Sequence, residues 1–198
     1  MMNPVRELIN TEKEFRLYFV QTKQYLREKY GVSTIEEVFN SPQKRASFNG
    51  NMIVVDKSLK EETKFFFLTH LFGHTIQRYL TPYKELTLYR KLPLEEVREE
   101  DEYLKTRLEE MYTHEREASA YAVQLLFDVE LSHLHQWLSD YSEFDWKCVR
   151  HCLLKGWTPD LLAYAQENYF QPNTALVVPK PIPDIQFSTW EHEHRYAV

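Results

Sequence analysis

The spacing of apolar residues at the N-terminal end of the chain predicts one long amphipathic helix. Asn3-Pro4 is a helix start signal, and Gly31 is a stop signal. Between these signals the apolar residues recur with a period of about 3.6, which places them on one helix face: Val5, Leu8, Ile9, Phe15, Tyr18, Phe19, Tyr25 and Leu26. Ser33 and Glu36 then have the spacing of a capping box, which predicts a short helix that ends near Asn40.

A β-hairpin is predicted in the segment that follows. Asn49-Gly50 is a preferred two-residue hairpin turn, and it separates residues 44–48 from residues 51–55. We therefore expect a small antiparallel sheet before the next helix.

The next helix is predicted to be buried. Ser58 and Glu61 have the spacing of a second capping signature, and Thr81-Pro82 marks the end of the helix. The helix is apolar on nearly all sides because it carries Phe65, Phe66, Phe67, Leu68 and Phe72. Such a pattern is typical of a helix that lies inside the protein.

The second half of the chain predicts more helices. Apolar spacing resumes at Leu104 and continues to Leu126, after a charged run that is typical of a solvated helix face, with a docking surface for a basic partner as the alternative. Gly156 is predicted to close a later helix, and Thr158-Pro159-Asp160 to open the last one.

The C-terminal residues are expected to form an extended arm. Residues 171–198 contain Pro172, Pro179, Pro181 and Pro183, which disfavour a helix. A solvated or partner-bound tail is the favoured interpretation, and insertion of His192 or His194 as an extra metal ligand is the alternative. The predicted organisation is a single domain over residues 1–170 followed by this arm.

Composition supports an α+β, mainly helical fold. The chain has 198 residues, of which 43% are hydrophobic, and its four glycines are few for a loop-rich sandwich. The formal net charge of −6 argues against binding along a nucleic-acid backbone. No apolar run approaches the roughly 20 residues of a membrane span, and residues 1–10 lack a secretory apolar segment, so a cytoplasmic protein is expected.

The cysteines give little sign of a functional role. Cys148 and Cys152 lie four residues apart in a predicted helix, a poor basis for a disulfide framework. We expect reduced thiols, with metal binding by these residues and His151 as the less favoured alternative.

The strongest candidate chemistry lies in the buried helix. His70 and His74 are four residues apart, so both imidazoles can face one metal ion. Glu115 is followed by small residues at helical spacing, which would let a second helix pack closely and supply a third ligand. Among 8 histidines, chance alone gives roughly 0.3 such pairs, so two core histidines bonded to backbone or carboxylate oxygens remain the alternative.

These residues resemble the ImmA/IrrE family of zinc metallopeptidases. His70, Gly73 and His74 fit its H-E-L-G-H motif, and the E-x-E-A-x-x-F-A motif is matched by Glu115, Glu117, Ala118 and Ala122, with Tyr121 at the aromatic position. The resemblance covers roughly Gly31 to Phe127. It implies a zincin-like helical core and a zinc ion held by His70, His74 and Glu115. Tyr112, His114 and Glu117 lie on the same predicted helix as Glu115 and are candidates for a second layer around the ligands.

The motif departs from the family at two positions. Leu71 stands where the family has its general-base glutamate, and Phe72 replaces the leucine. A leucine cannot take a proton from water, a contribution typically worth about 10²- to 10⁴-fold in rate. The resemblance therefore implies that the metal ligands are kept while the catalytic base is lost.

Three functional hypotheses follow. The leading one is a degenerate ImmA/IrrE-like protein that binds a protein partner in regulation, with little or no proteolysis; family members typically act on helix-turn-helix repressors. The second is an active zinc-dependent peptidase that cleaves such a repressor with an unusual base. The third is a structural interaction protein whose histidines bind no metal.

Overall fold

Four α-helices and a three-stranded sheet form the part of the chain that the computed structural model describes, which comprises residues 12–40, 44–82, 102–155 and 175–187. The helices are α1 (Glu12–Tyr25), α2 (Glu61–Leu80), α3 (Glu102–Asp128) and α4 (His135–Lys155). The strands are β1 (Ser33–Glu37), β2 (Ala46–Asn49) and β3 (Met52–Asp56). The α+β, mainly helical class predicted from the sequence is confirmed.

The first helix ends where the sequence predicts. A π-helical turn, Leu26–Tyr30, continues α1, and Gly31 follows in the left-handed conformation with φ of 70°. Its N–H donates to the carbonyl of Arg27 at 3.2 Å, which closes the helix. Phe15, Phe19 and Leu26 are buried, so the predicted stripe is part of the core. The predicted start at Asn3-Pro4 lies outside the described residues.

The prediction of a short helix from Ser33 to Asn40 is wrong, because residues 33–37 form β1. This strand pairs in parallel with β3, with Ile35 opposite Val54. The β-branched residues Thr34 and Ile35 favour a strand, and the backbone pairing with β3 outweighs a local capping signature.

The predicted hairpin is confirmed, with its turn one residue later than expected. β2 and β3 are antiparallel, and Asn49 pairs with Met52, so the two-residue turn is Gly50-Asn51. Gly50 has φ of 57°, the conformation that the first position of a type II′ turn requires. The sheet order is β1-β3-β2, and the sheet is mixed rather than purely antiparallel.

Helix α2 lies at the centre of the fold and contacts α1, α3, α4 and the hairpin. Its predicted end at Thr81 is confirmed, but Ser58 does not cap its start. The Ser58 hydroxyl instead donates to the Asp56 carboxylate at 2.7 Å, and the helix begins at Glu61. Phe65, Phe66 and Phe72 are fully buried, as the all-round apolar pattern predicts.

Residues 175–187 form a strap across the helical core. Residues 175–186 of the strap have no helix or strand. Val177, Ile185 and Phe187 are buried, and the N–H of Lys180 donates to the carbonyl of Ala120 at 3.0 Å. This part of the predicted arm is packed into the core. Within the described part of the chain, none of the helices is long and apolar enough to cross a membrane.

Candidate metal centre

Helices α2 and α3 bring the three predicted ligands together. The Nε2 atoms of His70 and His74 lie 3.1 Å apart. Oε2 of Glu115 lies 2.9 Å from Nε2 of His70 and 3.1 Å from Nε2 of His74. Glu115 stands 45 residues beyond His70, and the close packing of the two helices makes this contact.

A glycine permits this close approach. A Cβ atom on Gly73 would lie 2.1 Å from the carbonyl oxygen of Ala118 on α3, so no larger residue fits without a shift of backbone. Gly73 lies between the ligand residues of α2, and Ala118 lies one turn beyond Glu115. The separation of the two helices at this point therefore sets the distance between the imidazoles and the carboxylate.

The side chain of Gln77 fixes the orientation of His74. Its amide nitrogen donates to the carbonyl of His114 at 2.8 Å and to the carboxylate of Glu117 at 2.9 Å. Because both of these partners accept, the amide oxygen must be the atom that faces Nδ1 of His74, at 2.9 Å. Nδ1 of His74 therefore carries a proton, and in the neutral ring Nε2 has a free lone pair.

Ser119 has the same effect on His70. Its hydroxyl donates to the carbonyl of Glu115 at 3.0 Å. The hydroxyl has no second hydrogen, so Nδ1–H of His70 must donate to the Ser119 oxygen, at 3.2 Å. In the neutral ring the Nε2 lone pair of His70 also points at Glu115.

Three electron-rich atoms thus meet at one point inside the protein. Burial opposes a charge on Glu115. When the imidazoles carry a second proton on Nε2, the charge of His74 and the hydrogen bonds that both rings donate outweigh burial and hold the pKa of this carboxyl well below its usual range. Two imidazole lone pairs and a carboxylate would repel one another without a positive charge between them, which a proton or a metal ion can supply.

The donor set fits a metal ion. The three ligand atoms lie within 4.8 Å of one another. A tetrahedral ion with nitrogen ligands at about 2.0–2.1 Å separates its donors by roughly 3.3 Å, close to the distances found here. Hydrogen bonds to the outer nitrogen of each imidazole are the usual companions of histidine ligands. The arrangement can hold a metal ion.

Aromatic rings enclose the two histidines. The Phe66 ring stacks on His70 with centroids 5.2 Å apart, and the Phe48 ring of β2 stacks on His74 at 5.9 Å. Tyr141 of α4 stacks on Phe66, with ring centroids 4.2 Å apart. These contacts restrict ring rotation and lower the local polarity, which strengthens electrostatic interactions within the site.

The three residues expected around the ligands have different positions. Glu117 reaches the site through Gln77. The ring of His114 is buried 5.4 Å from that of His74, and its carbonyl accepts from Gln77. The Tyr112 hydroxyl instead donates to Glu143 of α4, at 3.0 Å.

Sequence reasoning missed two residues that hydrogen-bond to the histidines and one carboxyl group that interacts with them electrostatically. Gln77 and Ser119 lie on the ligand helices, at i+3 from His74 and i+4 from Glu115, and helical spacing would have found both. Asp145 of α4 could not be found in this way, because it belongs to neither motif. Desolvation raises its pKa to about 6; the charges of His70, His74 and Arg45 act against this shift, and Glu115 adds to it.

The other candidate ligands lie away from this cluster. Cys148 and Cys152 are free thiols, as expected. His133 is exposed, whereas His135 is partly buried and its Nε2 donates to the Val177 carbonyl at 2.7 Å. His192 and His194 lie outside the described residues.

Comparison with known proteins adds no identification. No family model matches the chain, and no match was found among curated proteins or among solved structures.

Proposed function

We propose that the chain is a zinc-binding protein whose ion is held by His70, His74 and Glu115. The observation that carries this proposal is the convergence of two Nε2 atoms and one carboxylate oxygen at about 3 Å spacing while both Nδ1 atoms are engaged elsewhere. Two imidazoles and a carboxylate form a donor set that zinc favours, and calcium and magnesium prefer oxygen ligands alone.

The donor set also indicates what the site is for. A structural zinc site has four protein ligands, whereas three protein ligands leave one position for water or substrate. The cluster within the described residues has three. When bound, zinc would polarise a water or carbonyl oxygen at that position.

The resemblance to ImmA/IrrE peptidases supplies a proposed role. We infer that the chain binds a segment of a protein partner, with a helix-turn-helix repressor as the candidate class. Leu71 supports a module that binds without cutting, and the alternative is a peptidase with a base from elsewhere in the fold. Co-purification with a repressor encoded beside the gene would support the first if the repressor stays intact. Chelator-sensitive fragments of that repressor would support the second.

Metal content is the first test. Protein purified without an affinity tag and analysed by mass spectrometry is expected to contain about one zinc per chain. His70→Ala and Glu115→Ala should each reduce this content at least tenfold, because two remaining ligands do not hold the ion. His133→Ala and Glu109→Ala are the matched controls, since both replace exposed residues of the same types.

The opposite metal content would contradict the zinc site. Wild-type protein that contains no zinc, and that takes up none during dialysis against a zinc buffer, would overturn the proposal. It would leave the histidines as core residues that share a proton with Glu115.

A further inference from the structure

The strap presents one lysine to α3 from a restricted stretch of backbone. Lys180 lies between Pro179 and Pro181. A proline fixes its own φ, and the residue before a proline is confined to extended backbone, so this stretch has few alternative conformations. Three residues earlier, Val177 is buried and its N–H donates to the Ser139 hydroxyl of α4 at 3.1 Å. The backbone of the strap is therefore held in place where Lys180 leaves it.

Three contacts hold Lys180 against α3. Its N–H donates to the carbonyl of Ala120 at 3.0 Å. Its ammonium nitrogen lies 5.1 Å from the ring centroid of Tyr121, a side chain that is only 1% exposed. The same ammonium donates to Oε1 of Glu117. Glu117 follows the ligand Glu115 by two residues, so Lys180 binds the part of α3 that carries the ligand.

The carboxylate of Glu117 joins the strap to a zinc ligand. Its Oε1 accepts from Lys180, and its Oε2 accepts from the amide nitrogen of Gln77 at 2.9 Å. Each bond uses a different oxygen, so the two do not compete. The amide oxygen of Gln77 accepts from Nδ1 of His74 at 2.9 Å. A line of hydrogen bonds between side chains thus runs from Lys180 of the strap to His74 of α2.

The exposure of Glu117 explains why it needs a partner outside α2. Its side chain is 32% exposed, so its carboxylate has access to water and can be hydrated by turning away from Gln77. The Lys180 ammonium opposes that rotation because it binds the other carboxylate oxygen. An ion pair between two partly exposed side chains adds little to the stability of a fold. The effect of Lys180 is therefore expected in metal binding rather than in stability.

We propose that Lys180 is a positioning residue for the metal centre and couples the strap to zinc affinity. It holds Glu117 in the orientation that keeps Gln77 against His74. This inference rests on the zinc site proposed above. It assigns the strap a part in metal binding, although the strap supplies none of the three ligand side chains.

The direction of the effect separates positioning from charge. Lys180 is a cation, and across the intervening residues it repels a bound metal ion. Loss of this charge alone would strengthen zinc binding. Loss of the hydrogen-bonded line would weaken it, because His74 is then less well oriented.

The test measures the zinc affinity of the full-length protein by competition with a chromophoric chelator. Lys180→Met keeps most of the aliphatic side chain and removes the ammonium. It is expected to lower the affinity about 5- to 10-fold, near the lower end of the range for residues that orient a metal ligand. Lys180→Arg keeps a charged donor and should retain most of the wild-type affinity.

Lys105→Met is the matched control. Lys105 is also partly exposed, and its ammonium pairs with Glu102 of α3 at 3.7 Å. It lies about 15 Å along the helix from Glu115, so its removal should leave the zinc affinity unchanged. Urea unfolding of the metal-free proteins is expected to give nearly the same midpoint for Lys180→Met and wild type. A large loss of stability in Lys180→Met would assign Lys180 a structural role and overturn the proposal.

A double-mutant cycle tests the route through Glu117. When Glu117→Ala has already removed the carboxylate, adding Lys180→Met should cause no further loss of zinc affinity. The same loss with and without Glu117 would show that Lys180 does not act through this residue, which would contradict the proposal.

The zinc site and the role of Lys180 fail in different ways. Wild-type protein that binds no zinc would overturn the metal site and, with it, the role of Lys180. Zinc binding by Lys180→Met that is as tight as in wild type, or tighter, would overturn the role of Lys180 alone and leave the zinc site standing.

Discussion

At the scale of single residues, hydrogen bonds to Nδ1 of His70 and His74 determine which ring nitrogens face Glu115. Gln77 faces Nδ1 of His74 with an acceptor because its own donors are already engaged by the His114 carbonyl and by Glu117. Two oxygens on α3 therefore decide which nitrogen of a histidine on α2 is available to a metal. The spacing of His70, His74 and Glu115 in the sequence carries no information about this selection.

Gln77→Leu is expected to weaken zinc binding about 10- to 100-fold, because His74 loses the acceptor that orients its ring. Competition with a chromophoric chelator measures the affinity. Gln124→Leu is the matched control, since Gln124 donates to Asp128 on α3, away from the ligands. Equal affinity in Gln77→Leu and wild type would mean that packing alone orients His74.

At the scale of elements, packing between helices and pairing between strands override local signals. The capping signatures at Ser33 and Ser58 predict helix starts that do not exist, because residues 33–37 pair with β3 and Ser58 bonds to Asp56. Gly73 is the reverse case, in which a tertiary contact explains a residue that local helix propensity disfavours. As a residue inside a helix it is locally unfavourable, and its contact with α3 explains its presence.

Gly73→Ala tests this contact. In an exposed helix the change stabilises by up to about 1 kcal/mol, but here the added carbon would meet a backbone oxygen that cannot rotate away. We expect a loss of at least about 2 kcal/mol in the free energy of unfolding of the metal-free protein, measured in urea. Zinc affinity should also fall, since α2 and α3 must separate.

The contacted atom, the backbone oxygen of Ala118, makes a control variant possible. The contact is with the backbone oxygen of Ala118, so adding Ala118→Gly to Gly73→Ala should restore neither stability nor zinc affinity. An increase in stability from Gly73→Ala alone would contradict the close approach of the two helices.

At the scale of the whole molecule, the strap formed by residues 175–187 links the C-terminal part of the chain to the candidate metal centre. The Lys180 ammonium donates to Glu117, Glu117 accepts from Gln77, and Gln77 accepts from His74. Phe187 at the other end of the strap is fully buried and packs against Phe72 of α2 at 6.4 Å. The strap is thus part of the core that supports the ligands.

Phe187→Ala is expected to reduce the free energy of unfolding by about 3–5 kcal/mol, because a fully buried aromatic ring is lost and a cavity remains. Val178→Ala on the same strap should change it by less than about 0.5 kcal/mol, since Val178 is 77% exposed. Urea unfolding of the metal-free proteins measures both. Similar small effects of the two changes would show that the strap is not part of the core.

The sequence by itself determined the features that depend on residues near one another in the chain. Helical periodicity placed α2 and α3, the Gly50 turn produced the hairpin, and i,i+4 spacing put His70 and His74 on one face. Glu115 was found because its own helix was recognisable and the family resemblance paired it with the histidines.

The tertiary structure decided everything that depends on which elements touch. β1 is a strand because β3 lies beside it, and Nε2 of His74 is available because Gln77 contacts α3. Asp145 of α4 interacts electrostatically with His70, His74 and Glu115, although it belongs to a third helix. Such contacts join residues far apart in the sequence, and their free energy depends on distance and burial in the folded chain, so no local pattern could reveal them.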